Sequence, residues 1–330
     1  MGATLSHDPL WPRTGGWPEP ARRPGAERGG SGEPHAGDEP RRPALTVIGV
    51  PTSRTSLSAT NAHETPAAIR DALRRYSSHV VQAVEPDARG DEIEVVLDEV
   101  LSIGDAGDVA DPDSETGEQT AANVIAELAG AADLVVALGG DNACTVPAAL
   151  GIARAHGGLE QAGLITLDAH HDLRDGRSNG SPVLRLIEHG LDPKRIVQIG
   201  IADFANSRAY RHRAKDLGIT IIHRDEFFER PIAQIAAEAL EIAGAGGGPI
   251  HVDLDVDVCD RSVAPGCPAS VPGGLQAHEL RRIARLLASD GRVRGLDIAE
   301  VDATADTPDG RTVRLAALLV LEAAAGLAQR

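Results

Sequence analysis

This 330-residue chain lacks the features that define several common protein classes. It has no apolar, charge-free run long enough to cross a bilayer, and its first residues contain no apolar stretch typical of a secretory signal. Basic residues are also few, because 32 Lys and Arg stand against 49 Asp and Glu, for a net charge of −17. Nucleic-acid phosphates are bound by clustered Lys and Arg. We therefore expect a cytoplasmic protein that binds neither membranes nor nucleic acid.

Cysteine and tryptophan are scarce as well. The cysteines, Cys144, Cys259 and Cys267, are odd in number and do not have the spacing of a zinc knuckle. Free buried thiols in a reducing compartment are the simplest interpretation. Both tryptophans, Trp11 and Trp17, lie in the first 43 residues, so the core contains none.

Residues 1–43 differ in composition from the rest of the chain. They hold eight Pro and eight Gly, and their six Arg balance six acidic residues. Such a composition is typical of low-complexity chain rather than of a packed core. We predict a disordered Pro/Gly-rich tail over 1–43 and a single domain over 44–330, which then carries the whole net charge.

Short apolar runs alternate with helical patterns from residue 45 onward. The predicted strands are Leu45–Val50, Leu101–Ile103, Leu134–Leu138, Leu164–Leu167, Ile196–Ile199, Ile219–Ile222, Ile250–Leu254 and Val293–Asp297. The predicted helices start near Pro66, Glu118, Ala143, Pro182, Ser207, Ala233, Ala277 and Thr312. Alternation of this kind, with strands rich in Val, Ile and Leu, indicates an α/β fold in three αβα layers with a mainly parallel eight-stranded sheet.

The segment Asp168-Ala-His-His-Asp172 follows one of these strands directly. In open α/β sheets, ligands bind where strands end. Two carboxylates and an imidazole suit a divalent cation such as Mn²⁺ better than a metal that prefers thiols. The alternative is a turn or helix-cap cluster, since Asp favours those positions too.

A second acidic segment, His251–Val258, alternates acidic and apolar residues. A strand with this period places Asp253, Asp255 and Asp257 on one side, where like charges repel unless a cation is present. A solvated edge strand is the alternative. Two acidic clusters at separate strand ends predict a binuclear metal centre.

Four motifs in order make the chain resemble the ureohydrolase superfamily of arginase, agmatinase and formiminoglutamase, over about residues 45–325. The segment starting at Gly139 is similar to that family's Gly-Gly-Asp-His, and Asp168–Asp172 matches Asp-Ala-His-x-Asp. Asp255–Asp260 matches Asp-x-Asp-x-x-Asp, and Asp297–Val301 matches the late Asp-Ile-x-Glu-Val. The resemblance implies an arginase/deacetylase-like fold and a homo-oligomeric assembly. A single-zinc deacetylase of the same fold is a poorer alternative, because the additional acidic ligands would be superfluous.

The resemblance also implies the roles of individual residues. It implies two divalent cations, most simply Mn²⁺, that activate a water molecule for attack on the central carbon of an amidine. The implied metal ligands are Asn142, Asp168, His170, Asp172, Asp255 and Asp257. Asp172 is in addition the implied proton acceptor, and Glu300 the partner of the amidinium group. Counting back from Pro265 selects Asp255 and Asp257 as ligands and leaves Asp253 as a supporting acceptor.

Asn142 departs from the family pattern, because relatives carry a histidine ligand there. An amide oxygen can bind a hard cation. Three outcomes follow: both cations are bound with Asn142 as a ligand, only the second site is filled, or the site no longer turns over. The third outcome keeps open a catalytically silent relative that serves binding or assembly.

The loop that begins at Arg174 bears on the substrate. Its Ser-Asn-Gly-Ser-Pro string is similar to the Ser-Gly-Thr-Pro string of formiminoglutamases, and the relay histidine of arginases is missing near Val183. We expect Arg177, Asn179 and Ser181 to bind substrate, with Arg174, Arg177 and Arg185 available for the two carboxylates of formiminoglutamate. Surface salt bridging is the alternative for each arginine. Agmatine or guanidinobutyrate, which suit an acidic protein, are alternative substrates.

Overall fold

A computed structural model describes residues 44–83 and 92–330; the predicted tail at 1–43 lies outside these residues. Ten strands occur in the described part of the chain. They are β1 (Leu45–Val50), β2 (His79–Ala83), β3 (Glu92–Val96), β4 (Ile103–Asp108), β5 (Leu134–Gly139), β6 (Gly163–Leu167), β7 (Ile196–Ile201), β8 (Thr220–His223), β9 (Ile250–Asp255) and β10 (Val293–Ala299).

Eight of these strands form one sheet in the order β4-β1-β5-β10-β9-β6-β7-β8. Every pair in it is parallel, so all eight carboxyl ends lie along one edge. Strands β5, β6 and β9 are buried along their whole length. The remaining strands, β2 and β3, form an antiparallel hairpin.

Helices cover both faces of the sheet. They are α1 (Thr65–Leu73), α2 (Leu97–Val100), α3 (Glu115–Ala131), α4 (Thr145–Ala155), α5 (Pro182–Glu188), α6 (Arg208–Leu217), α7 (Glu226–Glu229), α8 (Ile232–Ala243), α9 (Ala277–Ala288) and α10 (Arg311–Leu327). Helices α1, α8, α9 and α10 share one hydrophobic cluster with residues such as Val136 and Leu138 of β5. Helices α3 and α4 pack with Val135 and Ala137, the alternate residues of the same strand. The predicted three-layer αβα fold is confirmed.

The differences from the prediction have local causes. The strand expected at Leu101–Ile103 is wrong in extent, because β4 runs from Ile103 to Asp108. Glycine and aspartate disfavour strands, but the sequence Ile-Gly-Asp-Ala-Gly-Asp pairs with β1 all the same. The carboxylate of Asp105 is buried in this strand, which the sequence pattern did not lead us to expect. Its charge is balanced by an ion pair with Arg70 of α1 at 2.7 Å. The β2–β3 hairpin was not predicted. No helix in the described residues is long and apolar enough to span a membrane.

The turn after β5 depends on two glycines that closely approach neighbouring backbone. A Cβ atom at Gly140 would lie 1.9 Å from the carbonyl oxygen of Thr52, and one at Gly139 would lie 2.7 Å from that of Ile298. Contacts below 3.0 Å force the structure to shift. The sheet edge therefore reaches Asp141 and Asn142 through a backbone contact that only glycine permits.

We predict that Gly140→Ala destabilises the protein by about 1–3 kcal/mol, the usual cost of overpacking a buried site. Urea-induced unfolding measures the change. The matched control is Gly130→Ala, because Gly130 lies exposed on α3 and a Cβ there meets nothing within 4 Å. That control should gain about 1 kcal/mol from helix propensity. Equal effects at the two positions would contradict the close-approach argument.

Candidate metal centre

The predicted metal ligands and the predicted catalytic residue Glu300 lie at the carboxyl ends of four neighbouring strands. Asn142 follows β5, Asp168 follows β6, Asp255 ends β9, and Glu300 follows β10. Because the sheet order is β5-β10-β9-β6, strands that are far apart in sequence place these residues side by side. The sheet topology itself thus assembles the site.

The first part of the site is a carboxylate–imidazole cluster. Nδ1 of His170 lies 2.6 Å from Oδ2 of Asp257 and 3.5 Å from Oδ1 of Asp168. One ligand atom from each of these three residues lies within 4.8 Å of the others. Backbone amides hold the two carboxylates, since the N–H of His170 donates to Asp168 at 2.6 Å and that of Ala169 donates to Asp257 at 2.9 Å.

Asp255 and Asp257 reach the site by different local geometries. Strand β9 ends at Asp255, and Val256–Val258 form a 3₁₀ turn. Oδ1 of Asp255 accepts a hydrogen bond from the N–H of Asp257 at 2.8 Å, which closes this turn. The predicted period of two therefore applies to Asp253 and Asp255 and was wrong for Asp257, whose position is set by the turn.

The second part of the site contains the predicted ligands Asn142 and Asp172. The side-chain amide of Asn142 lies 2.7 Å from Oδ2 of Asp172, with Nδ2 as the donor, and its other end lies 2.6 Å from Oγ1 of Thr145. The N–H of Asn142 also donates to Oε1 of Glu300 at 2.9 Å. Asn142, Asp172 and Glu300 are all buried. The structure thus brings this group together as well.

Both predicted catalytic carboxylates have unusual backbone conformations. Asp172 has φ of 50° and Glu300 has φ of 61°, two of the four positive values among non-glycine residues in the described chain. Side chains rarely adopt this left-handed region, and such strain clusters at functional sites. The backbone after β6 and β10 is held so that these carboxylates face a common cavity.

Burial and mutual repulsion dominate the electrostatics of the site. Burial, followed by the charge of Asp257, raises the pKa of Asp168 to about 7, and burial raises that of Glu300 to about 7. The pKa values of Asp172 and Asp255 are raised well above the ordinary value for the same causes.

Among the described residues, His170 is the one imidazole in this cluster. The charge of Asp257 raises its pKa to about 12. Burial works against the ionised form of Asp257, but the charge of His170 still holds its pKa below the usual range. Several buried carboxylates thus share one imidazolium. An oxygen-rich donor set with one imidazole and a surplus of negative charge fits divalent cations such as Mn²⁺.

A cavity of about 260 Å³ opens above these residues. Its floor includes His170, Asp172, Asp255, Asp257 and Glu300. Its wall is formed by Leu57, Ser58, Leu173, Arg174, Asn179, Gly180, Ala205, Asn206, Ser207, Tyr210 and Ala269. Its size suits a small molecule.

The predicted substrate-binding residues are only partly at this cavity. Asn179 lines it, and its Nδ2 donates to Oε1 of Glu300 at 2.7 Å. Ser181 is buried, and its hydroxyl lies 2.8 Å from that of Ser178, so it shapes the loop. Its contact with substrate stays a prediction.

The expectation for the arginines needs correction. Arg177 lies 3.1 Å and Arg185 2.7 Å from the carboxylate of Glu118 on α3, and neither lines the cavity. Salt bridging, the alternative named for each arginine, applies to these two. Arg174 lines the cavity, and its guanidinium lies 5.8 Å from the ring centre of Tyr210. No carboxylate of the described residues is ion-paired with it.

Several residues of the site were missed from the sequence. Asp297 lies in one of the quoted motifs but had no assigned role, and Thr145 follows Asn142 by three residues, a spacing that could have drawn attention to it. Asn206 accepts a hydrogen bond from the N–H of His171 at 3.0 Å and donates one to the carbonyl of Ala169 at 2.8 Å, which fixes the turn that carries Asp168 and His170. No local signal marks Asn206, because the contact spans more than thirty residues.

The arginase family model matches residues 43–326. The chain belongs to the arginase family. It is 33% identical over 297 residues to a formimidoylglutamase of Bacillus subtilis, with 88% of this chain and 89% of that relative covered. It is 30% identical over 299 residues to a guanidinopropionase of Pseudomonas aeruginosa, with 86% of each chain covered. The predicted membership in the ureohydrolase superfamily is confirmed, with formimidoylglutamases among its relatives.

Solved structures in this family share the fold. The crystal structure of the Bacillus subtilis formimidoylglutamase superposes with a TM-score of 0.80 at 28% identity, over 99% of this chain and 95% of that chain. A formiminoglutamase of Trypanosoma cruzi, crystallised with Mn²⁺, gives a TM-score of 0.75 at 21% identity, over 89% and 96% of the two chains. The second likeness concerns the fold alone.

The raised pKa values predict how the metal-free protein responds to pH. For Asp168 and Glu300 the folded pKa of about 7 exceeds the ordinary values of 3.8 and 4.5. Their stabilising contribution is therefore complete below about pH 4 and is lost as the pH rises towards about 7. His170, raised from 6.5 to about 12, contributes in the same direction at higher pH.

We therefore expect the urea midpoint of the chelated protein to fall between pH 5 and pH 7, and added Mn²⁺ to reduce this fall. Asp168→Asn, which cannot ionise, should flatten the metal-free profile. A midpoint that rises over this range would contradict the assignment.

Proposed function

We propose that this protein is a binuclear-metal hydrolase that cleaves a C–N bond of a formimino or guanidino compound, with formiminoglutamate as the substrate. The observation that carries the proposal is the convergence of buried carboxylates, His170 and Asn142 at four adjacent strand ends of an arginase-family chain. The formimidoylglutamases among its relatives support the choice of substrate.

The residues divide into two ligand sets. Asp257 and His170 would hold one cation, Asn142 and Asp172 the other, and Asp168 and Asp255 would be shared. When bound, two such cations lower the pKa of water and act as Lewis acids towards the substrate. The proposal names Mn²⁺ because the ligands are mainly oxygens and a structurally similar formiminoglutamase was crystallised with it.

Glu300 is suited to orient a planar amidinium group. The N–H of Asn142 and the amide of Asn179 both donate to Oε1, so this carboxylate has a fixed orientation at the cavity floor. No hydrogen bond to its Oε2 occurs among the described residues, which leaves that oxygen free to accept a charge-assisted hydrogen bond from an amidinium nitrogen. Asn179 therefore acts through Glu300 as well as from the cavity wall.

The reaction moves both protons of the water to the departing nitrogen of the amidinium form, and the proton released as the oxygen attacks is the one that a base must accept. Oxygen of water bonds to the formimino carbon, the bond from that carbon to the glutamate nitrogen breaks, and the products are formamide and glutamate. Asp172 lines the cavity, so its carboxylate can accept this proton and return it to the amine. Its left-handed backbone fixes its direction.

Arg174 is suited to bind a carboxylate at the far end of the substrate. It lines the cavity and lies against the ring of Tyr210, which restricts its side chain without neutralising it. Ser207, which caps α6, lines the same wall, so the positive end of that helix faces the same region. An acidic floor and a basic wall match a substrate that is cationic at one end and anionic at the other.

One observation favours a second substrate class. Formiminoglutamate has two carboxylates, and three arginines were expected to bind them. Two of these, Arg177 and Arg185, form salt bridges with Glu118 instead. A guanidino acid with a single carboxylate requires only Arg174. The guanidinopropionase among the relatives supports including 3-guanidinopropionate as the alternative.

We also propose a cellular compartment, a domain organisation and an assembly state for this enzyme. Cys144, Cys259 and Cys267 are free and buried, as predicted, which supports a reducing compartment and so the cytoplasm. We propose that residues 44–330 form one catalytic domain and that the chain assembles as a homo-oligomer, as the resemblance to its superfamily implies.

The function is tested by assaying the Mn²⁺-loaded protein on formiminoglutamate, 3-guanidinopropionate, agmatine, guanidinobutyrate and arginine. We expect the first to have the highest kcat/KM. Asp168→Ala should abolish turnover because it removes a shared ligand, whereas Asp216→Ala, an exposed change on α6, should not alter it. Full Mn²⁺ loading without turnover of any of these amidines would favour a catalytically silent relative.

We predict that Arg174→Gln raises KM for formiminoglutamate by about tenfold to a hundredfold, because a hydrogen bond to a charged group is worth about 1.5–3 kcal/mol. The kcat value should change less, since the contact is remote from the reacting carbon. Arg282→Gln on the exposed face of α9 is the control. An unchanged KM would remove Arg174 from the substrate site.

A further inference from the structure

A buried chain of hydrogen-bonding groups runs from the site into the sheet behind Asn142. Oγ1 of Thr145 lies 2.6 Å from the side-chain amide of Asn142 and 3.1 Å from Oδ2 of Asp297. All three residues are at most 1% exposed. Thr145 begins α4 and Asp297 lies on β10, so helix and sheet fix both ends of this chain.

Asp297 is the acceptor end of the chain. Nε2 of His251 lies 2.5 Å from its Oδ1, and the thiol of Cys144 lies 3.7 Å from its Oδ2. Burial raises the pKa of Cys144, so this thiol keeps its proton and can donate it. Together with Thr145, three potential donors surround this one carboxylate.

Thr145 has one hydroxyl proton but two neighbouring acceptors. It cannot donate to Asn142 and to Asp297 at the same time. Because the two ends of an asparagine amide have the same shape, its orientation is decided by the hydrogen bonds that it makes. Two arrangements satisfy the groups around Asn142.

In the first arrangement, Nδ2 of Asn142 donates to Asp172 and its Oδ1 accepts from Thr145. Asp297 then receives no proton from Thr145. In the second arrangement, the amide is turned by 180°, so Nδ2 donates to Thr145, and Thr145 donates to Asp297. The amide oxygen of Asn142 would then stand 2.7 Å from Oδ2 of Asp172, a repulsive pair of acceptors unless a cation lies against both.

We propose that cation binding turns the Asn142 amide and reverses the Thr145 hydroxyl, so that Thr145 is the positioning residue that presents the amide oxygen to the metal. This inference rests on the proposed function, because it assumes that Asn142 faces a cation. Thr145 makes one hydrogen bond within the chain in the first arrangement and two in the second. It therefore stabilises the metal-bound arrangement over the metal-free one.

The test is Thr145→Val, which keeps the shape of the side chain and removes its hydroxyl. Mn²⁺ binding is measured by calorimetry and by the Mn²⁺-induced rise in Tm, without recourse to activity. We expect the affinity of one of the two sites to fall about tenfold or more, as is usual when a group that orients a metal ligand is lost. Thr145→Ser, which retains the hydroxyl, should restore binding.

A double-mutant cycle with Asn142→Ala separates positioning from a general packing effect. If Thr145 acts through the amide, Thr145→Val should have less than about a twofold effect on Mn²⁺ affinity in the Asn142→Ala background. Additive losses, or wild-type affinity in Thr145→Val, would overturn this inference and leave the proposed function standing. A wild-type protein that binds no Mn²⁺ would overturn both, and that result is visible in the wild-type titration alone.

Discussion

Electrostatic repulsion among buried carboxylates is the constraint on which the rest of this structure depends. Asp168, Asp172, Asp255, Asp257 and Glu300 meet below one cavity, with His170 as the single imidazole among them. A metal-free arrangement of this kind costs folding free energy, because burial and like charges both disfavour ionised carboxylates. The surrounding fold must therefore be stable enough to hold the ligands in place before cations compensate the charge.

The fold meets this demand with a rigid sheet and backbone hydrogen bonds. Four parallel central strands carry the candidate ligands at their ends, and helices bury both faces of the sheet. Backbone amides of Ala169, His170 and Asp257 then bind carboxylate oxygens directly. These amides supply partial positive charge to the carboxylates. Among the described residues of the cluster, His170 is the one side chain that can carry a positive charge. The strained φ angles of Asp172 and Glu300 persist because this framework surrounds them.

The sequence allowed much of this to be predicted, for identifiable reasons. Seven of the eight sheet strands are apolar runs, and the candidate metal ligands follow or end such runs, so local pattern and motif order were sufficient to place these residues at one edge of the sheet. Strand β4 was misjudged because Asp105 needs Arg70 of α1 to be buried, and that pairing is not visible locally. The same limit explains Arg177 and Arg185, whose partner Glu118 belongs to another helix. The positions and partners of such residues depend on contacts between segments that are distant in sequence, and a local pattern does not reveal these contacts.

The strand order has a consequence for biosynthesis. The four strands that carry the candidate site are β5, β6, β9 and β10, and β10 is the last strand along the described chain. Since β10 lies between β5 and β9, the edges of these two strands stay unpaired until Val293–Ala299 has left the ribosome. Until then, a nascent chain can form the loops that carry Asn142 and Asp168 but cannot bring these two loops together. The candidate site is therefore assembled only when β10 has been inserted between β5 and β9.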